Sequence, residues 1–305
     1  MDNLNVYQPS GKFSPISLIF FFLVSFTVLP ILGLIYAYSI WYIPIIYLNF
    51  LLAILFGAAT GYVINFVVVG KGKIRNIYIA KFFGVLGALV AMYFHWIIWA
   101  DLVINAGEYY GSDSLGVTLS NIDINQVYSL LINPLVLFDL ISEINVTGTW
   151  SLGTVPANGL FLIIIWLIEA GLIIVPSFML SSRKASMPFC EMGNDWFKET
   201  KLPEYEYFED PYIILEKILN KQTDFISELV FVDNKKQHHS VIKLYTSDYD
   251  ENYLTLENKT AYLDRDNNIK LDTIIIVQHL KVEKSIVNKL INHRPKVGEL
   301  GELRS

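Results

Sequence analysis

The stretch "GLFLIIIWLIEAGLIIVPSFML", Gly159 to Leu180, decides how the rest of the chain is read. It is 22 residues long and almost wholly apolar. About 20 such residues are enough to cross the hydrocarbon core of a bilayer as a helix. Near its middle stands one carboxylate, Glu169. A charged group at the centre of a membrane helix costs about 3 kcal/mol or more, so such a residue is expected to be neutralised, paired or in contact with water. Glu169 is therefore the first functional pointer in the sequence.

Three further stretches have the same character: Pro15 to Ser39, with Pro30 as an expected kink, Ile43 to Val69, and Ile77 to Ile104. Four membrane-crossing helices are expected within a domain of residues 15–181. Residues 1–14 form an N-terminal tail and residues 182–305 a second domain. Composition marks the boundary. Of the 23 Lys and Arg, 5 lie in residues 1–180 and 18 in residues 181–305. The second part, about 125 residues, has a normal size for one core. Each part carries a net charge of −3 (5 basic and 8 acidic; 18 and 21), which excludes a basic nucleic-acid surface. One cysteine, Cys190, excludes an internal disulfide framework.

Orientation follows from Lys and Arg at the ends of spans. Lys71, Lys73, Arg75 and Lys81 crowd the turn between the second and third stretches. No basic residue follows until Arg183 and Lys184, after the fourth. These ends are expected on the cytoplasmic side, with both termini inside and residues 105–157 outside. Trp41, Trp96, Trp99, Trp150 and Trp166 then fall in the outer part, as in an interfacial aromatic belt. Within the outer segment, "NQVYSLLINPLVLFDLISEI" (Asn125–Ile144) has partly helical apolar spacing interrupted by Pro134. It predicts a pair of short amphipathic helices lying on the membrane or against the spans; the alternative is a re-entrant or gating element. Asn145-Val146-Thr147 fits a glycosylation sequon.

Small residues recur at four-residue spacing in the second stretch (Ala53, Gly57, Gly61) and the third (Ala80, Gly84, Ala88). Such stripes let helix backbones approach closely in lipid. With a short turn between them, the two helices are expected to pack as an antiparallel hairpin, Gly61 against Gly84 and Gly57 against Ala88. The same register brings Asn49 beside His95. An Asn49–His95–Glu169 cluster is thus expected, able to carry protons, bind an ion or recognise a ligand. Polar residues in spans also serve as interhelical glue.

The C-terminal part predicts an α+β domain with an antiparallel sheet. "DPYIILEKILNKQ" begins with an Asp210 cap and Pro211 at the first helical position. Strands are expected over 227–233, 239–247, 252–258 and 270–280, and an amphipathic helix over 284–292. "KVGELGELRS" is expected to be a loose tail. No phosphate-binding loop, dinucleotide fingerprint, nucleophile elbow or His-Glu-x-x-His is present. No cofactor or metal is expected.

"PFCEMGNDWF" (188–197) resembles the opening of a zinc-ribbon segment, Phe-Cys-x-x-Cys-x-x-Trp, with Gly193 at the second cysteine position. Thr246 and Tyr249 stand where a second ligand pair would sit in the hairpin "LYTSDYDENYLTL". A structural zinc needs four ligands, so the resemblance implies a relative that has lost its metal. The basic turn and the pattern Trp166-x-x-Glu169-Ala170 also resemble uncharacterised bacterial multi-spanning membrane proteins with a cytoplasmic C-terminal domain.

These features lead to a non-enzymatic anchor or scaffold in a bacterial plasma membrane. It would present residues 182–305 to a cytoplasmic protein partner, with a homo-oligomer or membrane complex expected. The alternatives are an oligomeric transporter, channel or proton-coupled subunit using Glu169 and His95, and an intramembrane enzyme using the same pair as acid and base.

Overall fold

The computed structural model describes residues 5–43, 45–112, 115–148, 151–152, 155–232, 237–249 and 251–293. The chain divides into two compact units. One comprises residues 10–186 and is mainly helical. The other comprises residues 187–305 together with residues 1–9. Trp150, Asp113, Asp250 and the 296–305 tail lie outside the described residues.

The helical unit contains α1 (Ile16–Tyr42), α2 (Ile46–Val63), which continues as a π-helical segment Ile64–Lys71, and α3 (Ile77–Ile104). A hairpin of β1 (Ala106–Ser112) and β2 (Leu115–Ser120) follows, then α4 (Ile124–Ile132) and α5 (Pro134–Thr147). A second, short hairpin, β3 (Ser151–Leu152) and β4 (Val155–Pro156), leads into α6 (Gly159–Leu180). Among the described residues, four helices are long and apolar enough to cross a membrane: those starting at Ile16, Tyr47, Ile77 and Gly159. Pro30 lies inside α1 and does not end it. Asn76 caps α3, its side chain accepting from the amides of Tyr78 and Ile79.

The small-residue stripes pack differently from expectation. A Cβ on Gly57 would lie 2.1 Å from the carbonyl oxygen of Ile173, and one on Gly61 would lie 2.7 Å from the Cα of Ser177. Gly84 likewise faces Ser181 and Ser177. Gly57, Gly61 and Gly84 close on α6, while Gly87 of α3 meets Ile64 and Thr60 directly. Gly61 and Gly84 share a level, since both meet Ser177 of α6. The cause is that α6, remote in sequence, offers Ser177 and Ser181 as equally small neighbours. Ser177 Oγ donates to the Gly84 carbonyl oxygen at 2.8 Å. Ala53 and Ala88 are fully buried in the same core.

The basic residues mark one end of this unit. Lys81 lies over the Phe178 ring at 4.9 Å. The Lys184 amide donates to Asn65 Oδ1 at 2.7 Å, and the Arg75 amide to the Lys12 carbonyl oxygen at 2.9 Å. Chain entry near residue 12 and exit near residue 184 are therefore at the same end as Lys71, Lys73, Arg75, Lys81 and Arg183. The opposite end is capped by the hairpin and by α4–α5. Trp41 Nε1 donates to the Thr118 carbonyl oxygen at 2.9 Å, and Asp101 accepts from the Asp123 amide at 3.2 Å. The α4–α5 pair bends by 109° at Asn133–Pro134. Asn133 and Pro134 break the helix as the sequence indicates, because proline removes a donor and crowds the preceding turn. Asn145 lies inside α5 and its side chain donates to the Gly159 carbonyl oxygen at 3.0 Å.

The second unit is an antiparallel sheet with two helices on one face. Its strands are β5 (Phe189–Cys190), β6 (Asp195–Trp196), β7 (Lys198–Lys201), β8 (Tyr205–Glu206), β9 (His239–Thr246), β10 (Asn252–Leu263) and β11 (Ile269–Lys281). The main sheet runs β11-β10-β9-β7, with β8 also paired to β9. Helices α7 (Pro211–Leu219) and α8 (Lys284–Asn292) cover the face of Ile242, Leu244, Leu254 and Leu256. Asp210 caps α7 through the Tyr212 amide at 3.1 Å.

Residues 227–232 form no strand, and Asp233 lies outside the described residues. A 3₁₀ turn occupies Asp224–Glu228, and Phe231 makes only an isolated bridge to Tyr205. The edge of β9 is already filled by β7 and β8, so Val230 and Val232 reach only the backbone of Glu206 and Glu204. The edge of β11 is met by the N-terminus. Val6 bridges Leu280, the Tyr7 amide donates to the His279 carbonyl oxygen at 2.9 Å, and the Lys281 amide to the Asn5 carbonyl oxygen at 2.8 Å.

Candidate functional site

Three helices of the helical unit converge on Glu169. It is the eleventh residue of α6, about 15 Å from the start of that helix at 1.5 Å per residue. His95 lies on α3 nine residues before its end, and Tyr36 on α1 six residues before its end. All three belong to the half of the unit opposite the basic end.

Tyr36 Oη donates to Glu169 Oε1 at 2.5 Å, a short O–H···O hydrogen bond. His95 Nε2 stands 4.0 Å from the same oxygen, beyond hydrogen-bond length. His95 is 3% exposed, and its Nδ1 is buried with no hydrogen-bond partner. The Glu169 side chain keeps 19% of its surface. Tyr36 is held on both sides. Its ring stacks on Phe56 at 4.6 Å and lies 4.7 Å from the His95 ring.

Backbone packing fixes two of the three groups relative to each other. A Cβ on Gly33 would lie 2.9 Å from the His95 amide nitrogen and 3.1 Å from the Ala91 carbonyl oxygen. Glycine there lets α1 lie against α3 one turn from Tyr36. Beyond the cluster, Trp96 meets Trp166 edge-to-face at 4.9 Å and Trp99 at 5.3 Å. These rings pack with Leu130 of α4 and Leu137 of α5, which form a cover over the cluster from the far end.

Of the three residues expected together, the structure brings His95 and Glu169 within 4.0 Å. Asn49 has no hydrogen bond to either, and its Oδ1 is buried without a partner. Tyr36 takes the place given to Asn49. The sequence carries 18 tyrosines, and nothing local distinguishes this one. The usable signal is its spacing from Gly33, which places both on the α1 face turned to α3.

Asp101 is a carboxylate that the helical unit buries fully. It accepts from Asn105 Nδ2 at 3.1 Å and from the Asp123 amide, and Asn105 also donates to Gln126. Its hydrogen bonds tie the hairpin and α4 to the end of α3, which is a structural task.

Cys190 is 3% exposed and accepts from the Gly193 amide at 3.3 Å within the β5–β6 hairpin. A Cβ on Gly193 would lie 2.6 Å from the Tyr249 ring. Among the described residues, no three His, Cys, Asp or Glu converge as metal ligands.

Comparison of the chain with protein-family models, with curated proteins and with solved structures finds no match. Function is therefore argued from the residues themselves.

Proposed function

We propose that this chain is an integral protein of a bacterial plasma membrane that crosses the bilayer four times with both ends in the cytoplasm. It acts as a non-enzymatic anchor that presents its α+β unit to a protein partner. The pairing of Val6 with Leu280 carries the topology. It makes one unit out of the two chain ends, which supports placing both on one side of the bilayer with an even number of crossings. The bent α4–α5 pair is then a cover lying against the spans rather than a fifth crossing. Its break lies beside Tyr93, whose hydroxyl donates to the Leu131 carbonyl oxygen at 2.8 Å. The collection of Lys71, Lys73, Arg75, Lys81, Arg183 and Lys184 at one end supports a cytoplasmic placement of that end.

The partner surface is supported by the outer half of β11. Ile269, Leu271, Ile274 and Ile275 are exposed on an edge strand, beside Leu263 of β10. Open apolar edges are normally guarded against pairing. A partner strand adding there would gain backbone hydrogen bonds and apolar contact together. A photo-crosslinking amino acid at Ile274 should yield one discrete adduct in living cells, and one at Lys198, on the opposite edge, should yield none. Equal labelling from both edges would defeat the partner reading.

A second reading is an oligomeric transporter, channel or proton-coupled subunit. It is favoured by the contact of Glu169 with Tyr36 and the approach of His95.

A further inference from the structure

Glu169 has two polar neighbours on two different helices, and only its protonated state has a hydrogen to give to one of them. A carboxylate can only accept hydrogen bonds, whereas a carboxylic acid has one O–H to donate. Tyr36 Oη on α1 donates to Glu169 Oε1 at 2.5 Å, which suits the carboxylate. The acid must place its own hydrogen. The nearest nitrogen is His95 Nε2 on α3, at 4.0 Å from the same oxygen. Nδ1 of that ring is buried without a hydrogen bond, and Glu169 is the only carboxylate paired with it among the described residues.

We propose that Glu169 is a proton-binding site of the helical unit, accepting from Tyr36 of α1 in both states and donating to His95 of α3 when protonated. The proton is taken from water and adds to a carboxylate oxygen. Tyr36 keeps its own proton in both states, and no bond to carbon forms or breaks. Because Gly33 locks α1 against α3, the element that responds is α6, whose central side chain gains a second partner. This deepens the second reading above by naming the proton as the ligand. It requires the helical unit to sit in a bilayer, but not the anchor function.

No other titratable group faces Glu169 from the elements around it, among the described residues. On α2, Tyr47 and Tyr62 are exposed. On α5, Asp139 and Glu143 are exposed. Asp101 on α3 is about 9 Å further along the helix from His95 and is bound to Asn105 and Asp123. A titration at this site therefore belongs to Glu169, Tyr36 and His95. The rings of Trp96 and Trp166 lie against it, with Trp96 5.7 Å from the His95 ring, and they supply an optical reporter.

The test uses the full-length protein in lipid nanodiscs. Dicyclohexylcarbodiimide, an apolar reagent that attacks protonated carboxyl groups, is applied across a pH series, and adducts are mapped by mass spectrometry. Tryptophan emission is followed in parallel. The expected adduct is on Glu169, falling through one transition as pH rises, with the emission changing over the same range. Glu169→Gln should abolish both. Tyr36→Phe removes a donor to the carboxylate and should move the transition to higher pH by about one unit or more, a tenfold gain in proton affinity. An adduct that forms equally at every pH and is unmoved by Tyr36→Phe would overturn the proposal, as would no adduct together with emission that ignores pH. Either result would make Glu169 interhelical glue. If cysteine labelling places the crossings as proposed while the titration is flat, the proton site fails alone. If labelling misplaces the ends, the membrane reading fails on its own evidence.

Discussion

The hydroxyl of Ser177 donates to the carbonyl oxygen of Gly84 at 2.8 Å, while the Cα of the same serine leaves 2.7 Å for any Cβ on Gly61. One small residue of α6 thus touches both α2 and α3. Gly57 repeats the arrangement against Ile173 one turn away. Gly57→Ala must push α6 outward, and overpacking of this kind costs about 1–3 kcal/mol. Its melting temperature in detergent should fall by several degrees. Gly171→Ala, which meets nothing within 4 Å, should leave the melting temperature unchanged or raise it slightly, since alanine is the better helix former. If Gly57→Ala melts with the parent protein, α6 is misplaced.

The N-terminal segment should behave as part of the sheet. Deleting residues 1–9 removes two backbone hydrogen bonds to β11 and the edge-to-face contact of Tyr7 with Tyr253 at 5.4 Å. A loss of about 1–3 kcal/mol is expected. Hydrogen exchange gives the sharper check. The Lys281 amide, bonded to Asn5, should lose protection in the deletion, while the Leu244 amide in the central strand should keep it. Unchanged protection at Lys281 would show that the N-terminus pairs elsewhere.

Glu257 should contribute stability that depends on pH. It is 5% exposed on β10, with Lys243 at 2.5 Å and Lys259 at 3.2 Å. Burial pushes its carboxyl up, but the two ammonium groups more than offset this and hold it below the usual carboxylate range. A depressed folded value means stability that is full above the unfolded value, about 4.3 for glutamate, and is lost as pH falls through the folded one. Glu257→Gln should therefore cost about 1.5–3 kcal/mol at neutral pH, the worth of hydrogen bonds to charged groups. The gap between variant and parent should close on acidification. A gap that stays constant down to pH 3 would exclude the ion triplet as its source.

His279 should add to the same acid sensitivity. It is 5% exposed at a bulge in β11, with a φ of 52° and its ring 4.8 Å from Tyr245. Burial, with a smaller effect of Lys243, lowers its pKa to about 4. The unfolded chain takes up a proton near 6.5 while the folded chain does so near 4, so its contribution declines as pH falls between those values. His279→Asn, which tolerates the left-handed backbone better than most residues, should flatten stability between about pH 6.5 and 4. An unchanged slope would place the sensitivity elsewhere.

The sequence conveyed the long apolar helices well, because each is written as one uninterrupted apolar run with its own punctuation, such as Asn76 before α3. It placed His95 and Glu169 both in the central-to-outer part of their helices and left open whether they meet. It did not convey that Gly57, Gly61 and Gly84 close on α6. A stripe of glycines states that a backbone comes close, not which one, and the short turn favoured the sequence neighbour. Tyr36 was missed for a related reason, because its hydroxyl becomes meaningful only when α1 is known to lie beside both α3 and α6. The 227–233 segment has strand composition, but β7 and β8 had already taken the edge it needed. The β1–β2 hairpin, rich in glycine and serine, carries little apolar alternation and so no strand signal.

The central claim is that both ends of the chain lie on one side of a membrane, joined by the pairing of Val6 with Leu280. It is tested most directly by single cysteines at Asn5, Tyr128 and Lys284 in a Cys190→Ser background, labelled in intact cells with a membrane-impermeant maleimide. The account predicts that Tyr128→Cys reacts in intact cells, whereas Asn5→Cys and Lys284→Cys react only after permeabilisation. Reaction of Asn5→Cys and Lys284→Cys from opposite sides would contradict it.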